Sequence, residues 1–182
     1  MASIVVAGDT SGSITLAAPA VAGTNTLTLP ANTGTVITTA STFAGTGPAF
    51  SAYRATSAQS FSSATWTKIQ LNAEEFDTNN CFDSTTNYRF TPNVAGYYQF
   101  SGAVAFSGTV GRSLVSFWKN GVENKTGTDM TSGVIKLNTS ALIYCNGTTD
   151  YIELYGYCVG SSLNFEAVQA ATYMTGALVR AA

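Results

Sequence analysis

Residues 90 to 102 read Phe-Thr-Pro-Asn-Val-Ala-Gly-Tyr-Tyr-Gln-Phe-Ser-Gly, which predicts a turn followed by a β-strand. Pro92 fixes its own φ and lacks a backbone donor, and Gly96 tolerates conformations that other residues resist. Successive side chains of a strand point to opposite faces. One face of this strand therefore carries Tyr98, Phe100, Gly102, Val104 and Phe106. We expect that face to lie in a hydrophobic core.

The composition of the chain favours an all-β protein. Of its 182 residues 45% are hydrophobic and only 10% are charged, and the net charge is −2. Such a chain has no basic surface to attract nucleic acid or an anionic membrane. It shows no apolar run of about 20 residues that could form a membrane helix, and no basic, then apolar signal peptide at its start. We expect a protein made in the cytoplasm that does not insert into membranes.

The region from residue 49 to 182 reads as a series of short strands separated by turns. Asn120-Gly121 is the residue pair most typical of a two-residue type I′ hairpin. No segment shows the 3.6-residue period of a helix. The predicted strands are 49–55, 65–71, 88–90, 97–106, 113–119, 122–126, 133–145, 150–158, 163–168 and 173–180. Ten strands in this length predict a jelly-roll sandwich.

The first 40 residues differ from the rest, since Asp9 is their only charged side chain. Short strands carry Ile14 and Leu16, and then Leu27 and Leu29, which is too little apolar surface to offset the conformational entropy of an isolated segment. The segment is therefore expected to gain a core from an oligomer or from a larger assembly. Residues 41–48, rich in Gly, Ser and Thr, are expected to form a linker to the domain at 49–182.

Two resemblances to known families add to this interpretation. Residues 8–16, 23–30 and 34–38 resemble a recurring N-terminal segment of bacteriophage tail-fibre proteins, which implies an attachment or stem function. Phe90, Gly96, Tyr98 and Phe100 follow the spacing F-x5-G-x-Y-x-F of the globular head of complement component C1q and its relatives. Residues 118–122, 141–154 and 173–179 resemble the hairpin, the paired late strands and the closing strand of that family. Gly102 departs from it, because the family has an aromatic residue there.

The C1q resemblance implies a ten-stranded jelly roll in two sheets, a compact homotrimer, and chain ends that lie close together. In the strand at 150–158, Ile152 and Leu154 suit the core between the sheets. The opposite face would then carry Tyr151, Glu153, Tyr155 and Tyr157, with Tyr97 as a further candidate. Tyrosine suits a subunit interface, so we assign these five residues to the trimer interface. The alternative is that they pack under a loop of the same chain.

The sequence offers little for catalysis or metal binding. It contains no histidine, which excludes the usual triads and histidine metal sites. Neighbouring Glu74 and Glu75 would point to opposite faces of a strand. Asp77, Asn79, Asn80 and Asp83 could supply oxygen ligands to calcium, but their spacing fits no standard loop and a solvated turn is the ordinary explanation. We predict no enzyme activity, no cofactor and no metal.

Cys81 lies in that polar loop, where an exposed thiol could form a disulfide with another chain.

These observations favour a virion structural protein made in the host cytoplasm. The first hypothesis is a short homotrimeric phage tail fibre, anchored by residues 1–40 to a tail or baseplate protein. Its C1q-like domain, residues 49–182, would bind a saccharide or protein on the host surface. The second hypothesis places the same trimer on the capsid as a decoration or head fibre. A third is a free C1q-like lectin, which the absence of a signal peptide disfavours.

Overall fold

The computed structural model describes residues 3–7, 10–17, 21, 24, 47–131, 133 and 135–182. The chain divides into two compact units, residues 1–38 and residues 39–182. The described residues include no helix of the length and apolarity that crossing a bilayer demands.

The first unit contains a two-stranded antiparallel hairpin. Strand β1 (Ser3–Ala7) pairs with β2 (Ser13–Ala17), with Ser3 opposite Ala17 and Ala7 opposite Ser13. Gly12 has a φ of 79° at the turn, a conformation that glycine adopts without strain. The backbone of Ile14 and Leu16 lies in β2. The predicted strand with Leu27 and Leu29, and residues 41–46 of the predicted linker, lie outside the described residues.

The second unit is an all-β sandwich, as the alternating pattern of the sequence predicted. Its described strands are β3 (Ala49–Tyr53), β4 (Gln59–Ser60), β5 (Thr67–Lys68), β6 (Ala73–Asp77), β7 (Phe82–Asp83), β8 (Arg89–Phe90), β9 (Gly96–Lys119), β10 (Val122–Met130), β11 (Lys136–Cys145), β12 (Ile152–Phe165) and β13 (Tyr173–Ala181).

Strand β9 joins the two layers of the sandwich. Its first part, residues 96–105, pairs with β11 and β13, and its second part, residues 106–119, pairs with β10 and β12. The first sheet therefore has the order β6-β3-β13-β9-β11, and the second sheet has the order β10-β9-β12-β8-β7. The short strands β4 and β5 pair with β12 in the second sheet.

The strand inventory differs from the predicted one in two ways. Strands predicted at 97–106 and 113–119 form the single strand β9, and those predicted at 150–158 and 163–168 form β12. The glycines in these stretches do not end the strands, because they allow two backbones to approach closely. A Cβ at Gly108 would lie 2.3 Å from the carbonyl oxygen of Ser162. Sequence reasoning also missed β4, β6 and β7, which are too short or too polar to show an alternating apolar pattern.

The core lies between the two sheets and is centred on the aromatic residues of the turn and strand at 90–102. Phe90 and Tyr98 are fully buried, as is Phe100, and the ring of Phe90 lies 4.5 Å from that of Phe50 across the sandwich. Burying each such ring contributes roughly 1.5–3 kcal/mol. The predicted core face of β9 is therefore confirmed.

The first described residues of the second unit lie next to its last strand. The backbone N–H of Leu178, near the end of β13, donates to the carbonyl of Pro48, which precedes β3, at 3.0 Å. The hairpin at Asn120-Gly121 is also confirmed, with positive φ values of 55° and 77° at its two central residues.

Candidate functional site

The outer face of the first sheet exposes a group of large apolar side chains, which we call the tyrosine patch. It consists of Tyr97 on β9, Leu142 and Tyr144 on β11, and Val179 on β13, exposed by 43%, 51%, 42% and 57% respectively. Their outward direction follows from strand alternation, because Tyr98, Ile143 and Leu178 pack against the core between the sheets.

The patch is continuous because its strands are neighbours. Tyr97 stands directly opposite Tyr144 in the β9–β11 ladder, and their ring centroids are 5.5 Å apart. The ammonium group of Lys119 lies 5.6 Å from the Tyr144 ring centroid and donates to the Tyr144 carbonyl at 2.7 Å. A depression of about 550 Å³ lies beside Tyr97, Leu142 and Val179. Exposed apolar surface of this kind marks an interaction site more often than chance.

The other four predicted interface residues lie on the outer face of the second sheet and have partners in their own chain. The ring of Tyr155 stacks on Trp118 at 4.1 Å, and that of Tyr157 lies 5.5 Å from Trp66. Burial raises the pKa of the Tyr155 hydroxyl. This arrangement is the one expected if the tyrosines pack under their own chain, and their assignment to an interface stays a prediction.

Tyr151 and Glu153 are likewise held by cations of the same chain. The guanidinium carbon of Arg89 lies 4.1 Å from the centroid of the Tyr151 ring. Glu153 is 96% buried and its carboxylate pairs with the ammonium group of Lys68 at 2.9 Å. Sequence alternation placed these side chains on the correct face, but it gave no information on which strand would cover them.

One polar atom of this aromatic group lacks a hydrogen-bond partner among the described residues. The indole N–H of Trp118 is buried and makes no hydrogen bond within the described part of the chain. Buried donors in folded proteins nearly always find an acceptor.

The loop that suggested calcium ligands uses its carboxylates to hold its own backbone. Asp77 accepts from the N–H of Phe82 at 2.6 Å. Asp83 accepts from the N–H groups of Thr85, Thr86 and Asn87 at 2.9–3.0 Å, and these bonds, chiefly that of Thr86, lower its pKa. Across the residues that the structure describes, no three Cys, Asp or Glu side chains group in a way that could hold a metal ion.

Cys81 lies closer to the core than its polar neighbours suggested. It is 94% buried, and its thiol donates to the carbonyl of Asn79 at 3.6 Å. Burial raises the pKa of the thiol, which makes it less reactive at neutral pH. The expectation of an exposed thiol was wrong, because Phe82 and Cys81 together turn into the sandwich at β7. A disulfide between chains at Cys81 stays a prediction.

The hairpin of the first unit exposes apolar side chains on both of its faces. Ile4, Val5 and Val6 are successive residues of β1 and are 66%, 59% and 55% exposed. Successive residues of a strand point in opposite directions. Neither face of β1 is therefore covered by the described residues of the first unit.

Comparison with known proteins gives the fold of the second unit. A scan of protein-family models and a search of curated proteins returned no match. Among solved structures, the globular domain of zebrafish complement 1qA is similar over 74% of this chain and 99% of its own, with 18% identity and a TM-score of 0.53. The second unit has the C1q/tumour-necrosis-factor-like jelly-roll fold.

Two further structures share this fold with the C1q-like unit. Murine APRIL is similar over 72% of this chain and 98% of its own, with 10% identity and a TM-score of 0.54. The PRD1 vertex protein P5 is similar over 74% of each chain, with 17% identity and a TM-score of 0.52. At these identities the comparison establishes the fold, and function must be argued from the surfaces described above.

Proposed function

We propose that this chain is a virion structural protein and not an enzyme: a short, homotrimeric phage tail fibre. Residues 1–40 anchor the fibre to a tail or baseplate protein, and the C1q-like unit, residues 49–182, binds the host cell surface. The observation that carries the trimer is the tyrosine patch, a continuous apolar surface on the outer face of the first sheet.

The patch fits a closed three-fold assembly. Subunits that make the same contact around a rotation axis form a closed ring. In such a ring every copy of the patch can be covered by a neighbouring subunit. Tyrosine supplies a large apolar area with a polar tip, which suits such an interface. The C1q resemblance also implies a trimer, which supports the same proposal.

The anchor proposal rests on the hairpin of the first unit. Ile4, Val5 and Val6 are exposed on both faces of β1, so this segment has apolar surface to give to a partner. Docking on a tail protein, or winding together with the other two copies, would remove that surface from water at a gain of roughly 25 cal/mol per Å².

The host-binding step is proposed to work through several weak contacts. Three C1q-like units in one fibre, and several fibres on one particle, raise the effective concentration of each contact after the first. A strong single site is therefore not required.

A second candidate is a capsid decoration or head-fibre protein. The fold likeness to the PRD1 vertex protein P5 favours this location, because a vertex belongs to the shell of a particle. The trimer and the anchor would be the same in both cases, and only the protein that holds residues 1–40 would differ.

The position of the protein on purified particles separates these candidates. Immunogold labelling with antibodies to residues 49–182 is expected to mark the tail if the first candidate is correct and the capsid if the second is. Absence of the protein from particles would overturn both and leave the free lectin. An adsorption assay with an excess of purified protein then tests host binding, and unchanged adsorption would exclude a receptor-binding function.

A further inference from the structure

The β6 edge of the first sheet presents an apolar side chain on the outer face of that sheet. Phe76 is 49% exposed and stands opposite Ser51 in the β3–β6 ladder. Directly opposite residues of two strands share a face. Ser51 faces outward, because its neighbours Phe50 and Ala52 are fully buried in the core. Phe76 therefore lies on the outer face, at the edge.

A β-bulge places a carboxylate beside this ring. In the β3–β6 ladder Ser51 pairs with Phe76, whereas the next residue of β3 pairs with Glu74, so Glu75 is the extra residue. A bulge redirects a side chain. The Glu75 carboxylate accepts from the hydroxyl of Ser51 at 2.6 Å and from the amide of Gln169 at 2.5 Å.

The Glu75 carboxylate is charged and has no counter-ion in the described part of its own chain. The hydrogen bond from Ser51, followed by that from Gln169, lowers the pKa of Glu75, so the group is ionised at neutral pH. The ion pairs that the described residues form do not include it. A carboxylate offers about four acceptor positions, and these two bonds leave room for a further donor.

The opposite edge of the same sheet carries the complementary combination. Lys136, the first residue of β11, is exposed and lies an even number of residues from Leu142 and Tyr144, so it shares their outer face. Its neighbour Ile135 is 53% exposed. Lys136 also takes part in none of the ion pairs found among the described residues. One edge thus pairs an apolar side chain with an anion, and the other pairs one with a cation.

Glu75 and Lys136 lie toward the same end of the sheet. Glu75 borders a cleft of about 320 Å³ whose wall includes Tyr173. Tyr173 and Lys136 stand opposite positions 103 and 105 of β9, which are roughly 7 Å apart at about 3.3 Å per residue. Arg180, a second cation of this sheet, stands opposite position 97, roughly 20 Å from position 103.

The two charges cannot meet within one chain. The order β6-β3-β13-β9-β11 places four strand spacings between them, roughly 19 Å at about 4.8 Å per spacing. They can meet between copies, because a head-to-tail ring brings two different patches of each subunit against its two neighbours. When the rotation axis runs along the strands, residues at the same end of the sheet come together.

We propose that the trimer is a head-to-tail ring in which the β11 edge of each subunit packs on the β6 edge of the next. Lys136 of the partner subunit enters the cleft and pairs with Glu75, and the partner's Ile135 and Phe76 leave water at the same contact. Opposite charges at this place fix the register of neighbouring subunits. This inference rests on the proposed homotrimer and supplies its second contact, beside the tyrosine patch.

Charge reversal of the full-length protein tests the contact. Glu75→Lys and Lys136→Glu should each raise the concentration at half-dissociation of the trimer by about tenfold or more in sedimentation velocity, because every contact then joins like charges. The double variant restores opposite charges and should return to within about threefold of the parent. Glu123→Lys and Lys125→Glu make the same changes on β10 of the second sheet and should leave the trimer unchanged.

A second measurement keeps Glu75 in place. A water-soluble carbodiimide joins a carboxylate to an amine in direct contact by an amide bond, and the reagent takes up the water that is lost. Mass spectrometry of the treated parent trimer should find Glu75 linked to Lys136 in covalently joined subunits. The link should be absent from Lys136→Gln.

The outcomes separate this contact from the trimer itself. A parent trimer without the cross-link overturns the contact, as does a double variant that dissociates as readily as the single ones. Equal dissociation by the two β10 controls overturns it as well, since the effect would then be one of net charge. A parent protein that is monomeric at every concentration overturns the proposed trimer and the contact together.

Discussion

Gly102 is the position where this chain departs from the C1q spacing, and the structure gives a physical reason. Gly102 is buried in β9, on the core face that also carries Phe100 and Val104. A Cβ built there would lie 2.9 Å from Cδ1 of Leu154 and 3.3 Å from the ring of Phe117. Those two side chains occupy the space that a larger side chain at position 102 would need.

Replacing Gly102 with an aromatic residue, as in the C1q pattern, should therefore destabilise this protein. We expect Gly102→Phe to lower the free energy of unfolding by about 1–3 kcal/mol, because the added ring overpacks the core. Adding Leu154→Ala should recover part of the loss, because it opens the space that the ring needs. Urea unfolding of the single and double variants measures both effects, and equal stabilities of the two variants would contradict the account.

Asp83 predicts a pH dependence at the scale of one residue. Its pKa is lowered in the folded protein by the backbone N–H bonds of the 85–87 turn. The stabilisation is therefore fully present above the unfolded-state value of about 3.9 and is lost as the pH falls through the folded-state pKa. Asp83→Asn should destabilise the protein at pH 7 and progressively less in strong acid. Thermal unfolding of the parent and of Asp83→Asn between pH 7 and pH 2 tests this. Glu74→Gln is the control, and its melting temperature should stay close to that of the parent at every pH.

At the scale of elements, β9 is the strand that determines the sandwich, because it belongs to both sheets. It continues through Gly108, where φ is 99° and the backbone lies against the carbonyls of Ser161 and Ser162. A side chain there would meet both an unfavourable conformation and the backbone of β12. The path of β9 from the first sheet to the second, through residues 106–112, therefore requires glycine at position 108.

Two glycine substitutions should separate strain from steric clash. Gly121, in the β9–β10 hairpin, also has positive φ, but the nearest atom to an added Cβ is the Tyr151 hydroxyl at 3.4 Å. Gly121→Ala should cost about 1 kcal/mol from conformation alone. Gly108→Ala should cost about 1–3 kcal/mol for strain, with the clash against β12 in addition. Chemical denaturation ranks the two, and a larger loss for Gly121→Ala would refute this role of β9.

At the scale of the whole molecule, the two sheets present different outer faces. On the second sheet, Tyr155 packs against Trp118 of β9 and Tyr157 against Trp66 of the loop before β5, whereas the first sheet leaves the tyrosine patch open. Exposed apolar area is what a subunit interface removes from water. The patch is therefore the surface on which we expect the three copies to meet.

A charge placed in the patch should dissociate the proposed trimer. We expect Leu142→Asp to yield folded monomers in sedimentation velocity, because the interface would bury an unpaired carboxylate. Val159→Asp is the matched control: Val159 is 41% exposed on β12 of the second sheet and should remain trimeric. Tyr155→Asp tests the interface predicted from the sequence. A trimer that persists in Leu142→Asp and dissociates in Tyr155→Asp would move the interface to the second sheet.

The sequence by itself determined the fold class and the core face of β9, because strand alternation is a local property. The apolar residues at 98, 100, 104 and 106 are two or four positions apart, so they lie on the same face of the strand. It also determined the hairpin at Asn120-Gly121, because two adjacent residues suffice for that turn. The same alternation placed Tyr97, Tyr155 and Tyr157 on outer faces, without showing which of them would be covered.

Only the tertiary structure decided the surfaces. Tyr155 and Tyr97 are both outward-facing tyrosines in the sequence, yet one stacks on Trp118 and the other stays open. Cys81 is buried within a polar loop, and a bulge turns Glu75 toward Ser51 although its neighbour Glu74 belongs to the same short strand. The Tyr155 and Glu75 contacts depend on partners far along the chain, Trp118 and Ser51 respectively. Alternation specifies a face, whereas exposure depends on which distant strand packs beside it.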